Sequence, residues 1–460
     1  MSVISPDIFR TYDIRGIVDE TLTAETVYLI GKSFGSEARE QHETKVIIAR
    51  DGRLSGPVLT EALKNGLLDS GCDVIDIGMV PTPLLYFATH ILDSRSGVML
   101  TGSHNPKNYN GLKMVIAGQT LSEEKIQAIY QRIQSKNFTV GHGKYSQYNI
   151  IDEYISYIKK TTHILPSKKL KIIVDAGNGI AGKIAPSLYR ALGCEVIELF
   201  CDVDGNFPNH HPDPAVPENL NDLIAAVKKH HADVGLAFDG DGDRVGVITN
   251  TGDIIWPDRQ LMAYAKDVLS RHAGAKIIYD VKCTKHLYAE IKKYHGVPIM
   301  YKTGHSLIKN KMREEGALLA GEMSGHIFFK ERWFGFDDGL YTGARLLEIL
   351  SHDSGTSTEI FEKFPNSFST PELKISVTPE QRKKLIADLK SSEKFNQARI
   401  IDIDGVRIEF EHGWGLMRGS NTTSHLVLRF EADDQENLDN IQKLFHEELL
   451  KIDSTLILPF

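Results

Sequence analysis

Four short stretches of this chain combine residues able to do covalent or ionic chemistry. The first, Thr101-Gly102-Ser103-His104-Asn105-Pro106, sets a hydroxyl beside an imidazole. It follows the apolar run Gly97-Val98-Met99-Leu100, leaves it through a Gly and stops at a Pro, which is loop chemistry. Strand ends of this kind are where α/β proteins place ligands. A serine there carries a covalent group, with His104 or nearby cations handling the charge. The same hexapeptide also reads as a Ser/Asn turn serving its own backbone. The second stretch, Asp239-Gly240-Asp241-Gly242-Asp243-Arg244, alternates carboxylates with glycines. In an extended segment positions i, i+2 and i+4 share a face, so three anions converge and a divalent cation resolves their repulsion. An EF-hand is excluded, because its loop needs Gly at 244 and Glu at 250, where Arg244 and Asn250 stand. Mg²⁺ suits a few carboxylates plus a phosphate oxygen; a solvated acidic turn is the alternative.

The third stretch, Gly321-Glu322-Met323-Ser324-Gly325-His326, offers a carboxylate and a hydroxyl between glycines, as sugar hydroxyls require. A nucleophile elbow would need Gly at 322; a capped turn reads equally well. The fourth, Arg418-Gly419-Ser420-Asn421-Thr422-Thr423, places a guanidinium beside small donors. That composition suits a phosphate or a β-turn. Near the start, Phe9-Arg10-Thr11-Tyr12-Asp13-Ile14-Arg15-Gly16 reads as a surface loop or as a source of an anion ligand, Arg15. Lys113, Lys282 and His305 fall near these loops, although each alone reads as an ordinary surface or core residue.

The elements that must position these loops repeat. Lys45-Val-Ile-Ile-Ala, Lys171-Ile-Ile-Val-Asp and Lys276-Ile-Ile-Tyr-Asp are β-branched runs suited to buried strands. Each leads through a polar turn (Arg50-Asp51-Gly52-Arg53 in the first) into a helical pattern that ends near Gly71, Gly193 and Gly296, plausible C′ residues. A second apolar strand follows, giving a strand–helix–strand pattern and a mainly parallel sheet. A further strand then runs into the Ser103, Asp239 or Glu322 loop, so three similar units deliver three different loops. Residues 22–41 read as a helix capped by Thr23. Polar stretches at 139–150, 251–253 and 351–358 suggest boundaries. Beyond about Pro371 the style changes: a helix at 379–392, short strands over 399–430, and a last amphipathic helix over 435–450. The expected division is 1–148, 149–253, 254–366 and 367–460: three related α/β domains with mixed, mainly parallel sheets plus a C-terminal α+β domain.

Bulk properties narrow the class. At 460 residues the chain is too long for one core, and 41% hydrophobic with 25% charged residues suits a globular protein. A net charge of -8 disfavours nucleic acid. The four cysteines show no CxxC or metal spacing and read as reduced structural thiols. The first ten residues lack the apolar segment of a signal peptide, and no apolar run reaches membrane-span length. A soluble cytoplasmic protein is expected.

Taken together and in order, Tyr12-Asp13-Ile14-Arg15-Gly16, the Ser103 hexapeptide, Asp239–Arg244, Gly321–His326 and Arg418–Thr423 resemble the α-D-phosphohexomutases, specifically the bacterial phosphomannomutase/phosphoglucomutase type, over essentially the whole length. The resemblance implies four domains around a central cleft and an isomerase. It converts hexose 1-phosphate and 6-phosphate, of mannose or glucose, through a phosphoserine at Ser103 and a bound hexose 1,6-bisphosphate. It implies Mg²⁺ on Asp239, Asp241, Asp243 and a phosphoserine oxygen. Arg15, Lys113, Arg244 and Lys282 would surround that phosphate, with Lys113 or His305 moving the sugar hydroxyl's proton. Glu322 and Ser324 would hold sugar hydroxyls with His326 close by, Arg418, Ser420, Asn421 and Thr422 would clamp the other phosphate, and Tyr12 would line the cleft. Reorienting the intermediate would require the fourth domain to move about a hinge near 366–371. Gly419 and Ser424 depart from the Ala and Pro expected there, without loss of a donor. Hexose phosphates are the only partners expected, with no nucleic acid or membrane, on a monomer or weak dimer. Phosphoglucosamine mutase, a metal-dependent sugar phosphatase and a non-catalytic sugar-phosphate sensor are the alternatives.

Overall fold

The computed structural model describes residues 4–420 and 425–460. The three repeats fold alike. In the first, strand Lys45–Arg50 pairs in parallel with Asp73–Met79 on one side and Gly97–Leu100 on the other, and Gly97–Leu100 pairs antiparallel with Tyr109–Ile116. Lys171–Asp175, Glu195–Leu199, Val234–Phe238 and Val245–Thr249 repeat that order in the second unit. Lys276–Asp280, Val297–Tyr301, Leu319–Gly321 and Ile327–Phe329 repeat it in the third. In each unit the functional loop is therefore the turn out of the third parallel strand, at its C-terminal end. The mixed pairing follows from loop length: a few residues close an antiparallel pair, whereas a parallel partner needs a crossover helix. Pro298 is tolerated because Val297–Tyr301 lies at a sheet edge.

The β-branched runs are buried on both faces, as sheets covered on both sides require. Along Lys45–Arg50, Val46 and Ile48 face a core of the first domain, while Ile47 and Ala49 face a larger core that runs through the second and third domains as well. The fourth sheet is antiparallel throughout, with strands Arg399–Ile401, Val406–Phe410, Gly413–Gly419 and His425–Ala432 packed on helices Pro379–Lys390 and Gln435–Ile452 around a separate core.

Local expectations hold with informative exceptions. Thr23 caps helix Ala24–Glu40 by accepting from the Thr26 amide. Gly71 and Gly193 take the left-handed C′ conformation, but in the third unit His295 takes it instead (φ 62°). Gly296 is small for a different reason: a Cβ there would press on Ile291 and Leu269 at 2.7 Å. The polar stretch 139–150 contains the short strand Tyr145–Gln147, which extends the first sheet beside Asp73–Met79. Residues 251–253 turn a hairpin between Val245–Thr249 and Ile254–Ile255. The 351–358 stretch holds the end of helix Gly339–His352 and the start of Ser357–Glu362. No described helix is long and apolar enough to cross a membrane, and all four cysteines are free.

Candidate active site

Ser103 is 3% exposed and adopts a left-handed backbone (φ 47°). Its amide donates to Thr101 Oγ1 at 2.8 Å, and its hydroxyl donates to Asp239 Oδ2 at 3.0 Å and stands 3.2 Å from His104 Nδ1. Burial, then Arg244, hold the His104 ring well below the usual histidine pKa, so it is neutral. Arg15 flanks the loop, donating to Gly102 O at 3.0 Å and Asn105 Oδ1 at 2.6 Å while paired with Asp13. The Ser103 and Asp239 loops touch because residue 240 is glycine: a Cβ there would collide with the Ser103 carbonyl.

Asp239, Asp241 and Asp243 are fully buried, and one ligand oxygen from each lies within 4.8 Å of the others. They converge through a turn rather than an extended segment: the strand ends at Phe238, and Gly242 N donates to Asp239 O at 3.1 Å. The alternation brings the carboxylates together as expected, but by a different geometry. Three cationic or hydroxyl partners offset the crowding. Arg244 Nε donates to Asp239 Oδ2 at 3.0 Å. Lys113 Nζ bridges Asp241 Oδ2 (2.8 Å) and Asp243 Oδ2 (2.5 Å). Thr82 Oγ1 donates to Asp241 at 2.5 Å. Burial opposes the charge on Lys113, but Asp241 and Asp243 outweigh it and lift its pKa well above the ordinary lysine value. Burial pushes Asp239 up to about 7 against the pull of Arg244. Asp241 Oδ1 and Asp243 Oδ1 are buried without a hydrogen-bond partner. Orphaned carboxylate oxygens in a dry cluster fit a hard divalent cation.

The third loop meets the second through a backbone bridge between Arg244 and His326, and Arg244 Nη1 donates to Ser324 O at 3.2 Å. Glu322 is 1% exposed and accepts from Gly304 N at 2.6 Å; burial pushes its carboxyl up to about 7. His326 Nδ1 stands 3.0 Å from Asp337 Oδ2, and Lys309 Nζ donates to Asp337 Oδ1 at 2.9 Å. His305 stacks on His326 at 5.6 Å and meets the edge of Tyr12 at 5.0 Å. Its pKa is held well below normal by burial and by Lys309.

The remaining expected residues lie at the border of the third and fourth domains. Lys282 Nζ donates to Glu372 at 2.7 Å and stands 3.8 Å from Asp280, so it pairs with carboxylates of the third and fourth domains rather than with the Ser103 loop. Arg418 Nε donates to Asp404 Oδ2 at 2.9 Å, and the Ser420 amide donates to His425 O at 2.9 Å. Asn421 and Thr422 fall outside the described residues. A cavity of about 690 Å³ separates Gly419 and Ser420 from Phe9, Arg10 and Thr11 of the first domain.

Three residues of this site went unread in the sequence. Asp337, in a backbone bridge with Phe328, faces His326, and Lys309, in helix His305–Glu315, donates to Asp337. Asp213 accepts from Arg244 Nη1 at 3.2 Å, in a loop where His211 also donates to His104 O. The cluster His210-His211-Pro212-Asp213 was the visible signal for that loop. Asp337 carried only the hint of two adjacent acids beside an aromatic run.

The sequence matches "Phosphoglucomutase/phosphomannomutase, alpha/beta/alpha domain I" over residues 6–140, domain II over 152–252, domain III over 256–368 and the family's C-terminal domain over 372–448. It is 58% identical to a phosphomannomutase/phosphoglucomutase of Pseudomonas aeruginosa, covering 98% of this chain and 97% of that one. It is 53% identical to a phosphoglucomutase of Neisseria meningitidis, covering all of both. A crystal structure of a phosphoglucomutase/phosphomannomutase family protein from Burkholderia thailandensis superposes with a TM-score of 0.95 at 52% identity over the whole of both chains. Fold and relatives together define an isomerase of the α-D-phosphohexomutase class. Within it, the chain belongs to the phosphoglucomutase/phosphomannomutase family.

Proposed function

We propose that this chain interconverts the 1- and 6-phosphates of mannose and glucose by way of a phosphoserine at Ser103 and a hexose 1,6-bisphosphate. The observation that carries the reading is the Ser103 hydroxyl, 3.0 Å from Asp239 inside a buried triad of carboxylates. In the forward step the free sugar hydroxyl oxygen bonds to the phosphorus on Ser103, and the bond from Ser103 Oγ to that phosphorus breaks. The sugar hydroxyl gives up its proton to a site base. After the bisphosphate turns around, its other phosphoryl group returns to Ser103 Oγ and the second hydroxyl regains a proton. Mg²⁺ would sit on Asp239, Asp241, Asp243 and an oxygen of the Ser103 phosphate, where it neutralises charge on the transferring group.

The chain's own residues then divide the work. Arg15 and Arg244 surround the Ser103 loop with positive charge. Lys113, which donates to Asp241 and Asp243, balances the charge of those two carboxylates and stands beside the Ser103 loop for proton transfer at the sugar hydroxyl. Imidazole offers a second base for that role: His326 turns Nδ1 toward Asp337, leaving Nε2 as its second proton site, with neutral His305 beside it. Glu322 and Ser324 present acceptors to sugar hydroxyls, and Arg418 and Ser420, with Asn421 and Thr422, hold the non-reacting phosphate. Tyr12 lines the cleft beside His305, and Lys282 stands at the edge of the phosphate end. The protein works in the cytoplasm as a monomer or weak dimer.

The test is ³¹P NMR of glucose 1-phosphate and mannose 1-phosphate with enzyme, Mg²⁺ and a trace of bisphosphate. Both convert to 6-phosphates, and Ser103→Ala loses the conversion by about 10⁴-fold or more. Release of inorganic phosphate alone, or turnover of glucosamine phosphate only, would overturn the reading.

A further inference from the structure

The turn Arg50-Asp51-Gly52-Arg53 has no part in the chemistry above, yet two of its side chains are spent on the loop that carries Ser103. Asp51 and Arg53 are each 1% exposed. Asp51 Oδ2 accepts from Thr101 Oγ1 at 2.8 Å and from Gly102 N at 3.1 Å, while Oδ1 accepts from Arg53 N at 3.0 Å. The Arg53 guanidinium donates to four main-chain carbonyls of one loop: Ser103 at 2.8 Å, Asn105 at 2.6 Å, Pro106 at 2.7 Å and Tyr109 at 2.9 Å. Its Nε stands 3.3 Å from Asp51 Oδ2. A guanidinium carries its N–H donors in one rigid plane, and here both terminal nitrogens donate twice to these carbonyls while Nε faces the Asp51 carboxylate without a hydrogen bond. Lysine, with three donors on a freely rotating head, cannot reproduce that pattern.

The surroundings are built to keep the guanidinium in place. Gly102 lies flat against it, and a Cβ there would collide with Arg53 Nε. From the second domain the ring of Phe207 sits 5.4 Å from the guanidinium carbon, and Gly205 packs so closely that a Cβ would lie 3.0 Å from Arg53 Cα. Ser103 meanwhile holds a left-handed backbone (φ 47°), which a residue with a Cβ keeps only where neighbours over-determine it. The Arg53 bond to the Ser103 carbonyl and the Thr101 bond to its amide are two such constraints.

We propose that Arg53, oriented by Asp51, is a positioning residue: it casts the Ser103 loop so that Oγ faces the metal loop, and so governs turnover without touching substrate. The inference rests on Ser103 being the phosphoryl carrier. The Arg53 guanidinium reaches Asp51, Ser103, Asn105, Pro106, Tyr109 and Phe207 and not Glu322, Ser324 or Arg418, so substrate affinity stays nearly unchanged. A misplacement of the reacting oxygen by about 1 Å costs on the order of 10²-fold in rate.

The experiment measures kcat and KM for glucose 1-phosphate with Arg53→Lys, Arg53→Ala and Gly102→Ala, alongside Ser103→Ala. Folding is checked by circular dichroism and thermal melting. Arg53→Lys and Gly102→Ala are expected to lose about 30- to 100-fold in kcat with KM within about threefold. Added methylguanidine partly restores Arg53→Ala. If Arg53→Ala does not fold, the other two variants carry the test. A folded Arg53→Lys with kcat within twofold of the parent, or a KM that rises as far as kcat falls, overturns the inference. Full turnover by Ser103→Ala overturns the phosphoserine reading beneath it, whatever Arg53 does; an inactive Ser103→Ala beside a fully active Arg53→Lys overturns the Arg53 role alone.

Discussion

The two ends of the cleft are built differently. At the Ser103 end, the first and second domains interlock: Ser103 donates to Asp239, Thr82 and Lys113 to Asp241, and His211 to the His104 carbonyl. Beneath them one apolar core runs through three domains. At the Arg418 end, the fourth domain keeps a core of its own. It joins the third domain through polar links, Arg407 to the carbonyls of Val281 and Cys283 at 2.7 Å each and Thr284 to Glu431 at 2.8 Å, with a small cluster of Val281, Trp414 and Leu416. Toward the first domain it faces open space. The proposed chemistry is thus prearranged where the domains interlock, and the proposed phosphate clamp sits beside a cavity. Charge transfer needs fixed dipoles, whereas an intermediate that must turn around needs room.

That contrast implies a division between rate and affinity, and five measurements test it. The largest effect is expected at the interlocked end. Asp241→Asn removes one of the proposed metal ligands and one of the two carboxylate partners of Lys113, and should lower kcat by about 10³-fold with little change in KM. Chelation of the wild-type protein with EDTA should abolish turnover, and Mg²⁺ should restore it. At the other end, Arg418→Ala would lose the proposed charged hydrogen bond to phosphate, about 2 kcal/mol, and should raise KM about 30-fold while kcat changes less. Equal losses in kcat and KM for both variants would dissolve the distinction.

A smaller effect is expected with pH. Burial holds the Glu322 carboxyl at about 7 against an ordinary 4.5. Between those values the folded state keeps a proton that the unfolded chain has lost. The associated stability is therefore full below about pH 4.5 and gone once the pH passes about 7. If Glu322 is the acceptor for sugar hydroxyls as proposed, its carboxylate forms over the same window, so kcat/KM should rise through about pH 7, and Glu322→Gln should flatten both slopes. The smallest signal is shape. If the fourth domain swings about residues 366–371, X-ray scattering should show a slight contraction when hexose bisphosphate is added, and identical curves would argue against closure.

Much of this was legible in the sequence because it depends on local or repeated patterns. Three β-branched runs at equivalent positions announced three similar sheets, since strands covered on both faces must be apolar throughout. The motifs around Ser103, Asp239, Glu322 and Arg418 stood out because glycine, hydroxyl and charge seldom alternate without a ligand to serve. What periodicity could not reveal were groups whose meaning lies in a partner on a different loop or element. Asp337 matters through His326, and Asp213 through Arg244. Lys113 is a cation locked between carboxylates 128 and 130 residues away, so its protonation is set by the fold. Arg53 is the sharpest case. The sequence determined that a turn follows the first strand and that Ser103 sits in a loop; only tertiary packing decided that one guanidinium would gather four carbonyls of that loop. Residue type and spacing encode which chemistry is available, but hydrogen bonding between distant backbones depends on how the sheets stack, and that is settled only when the cores close.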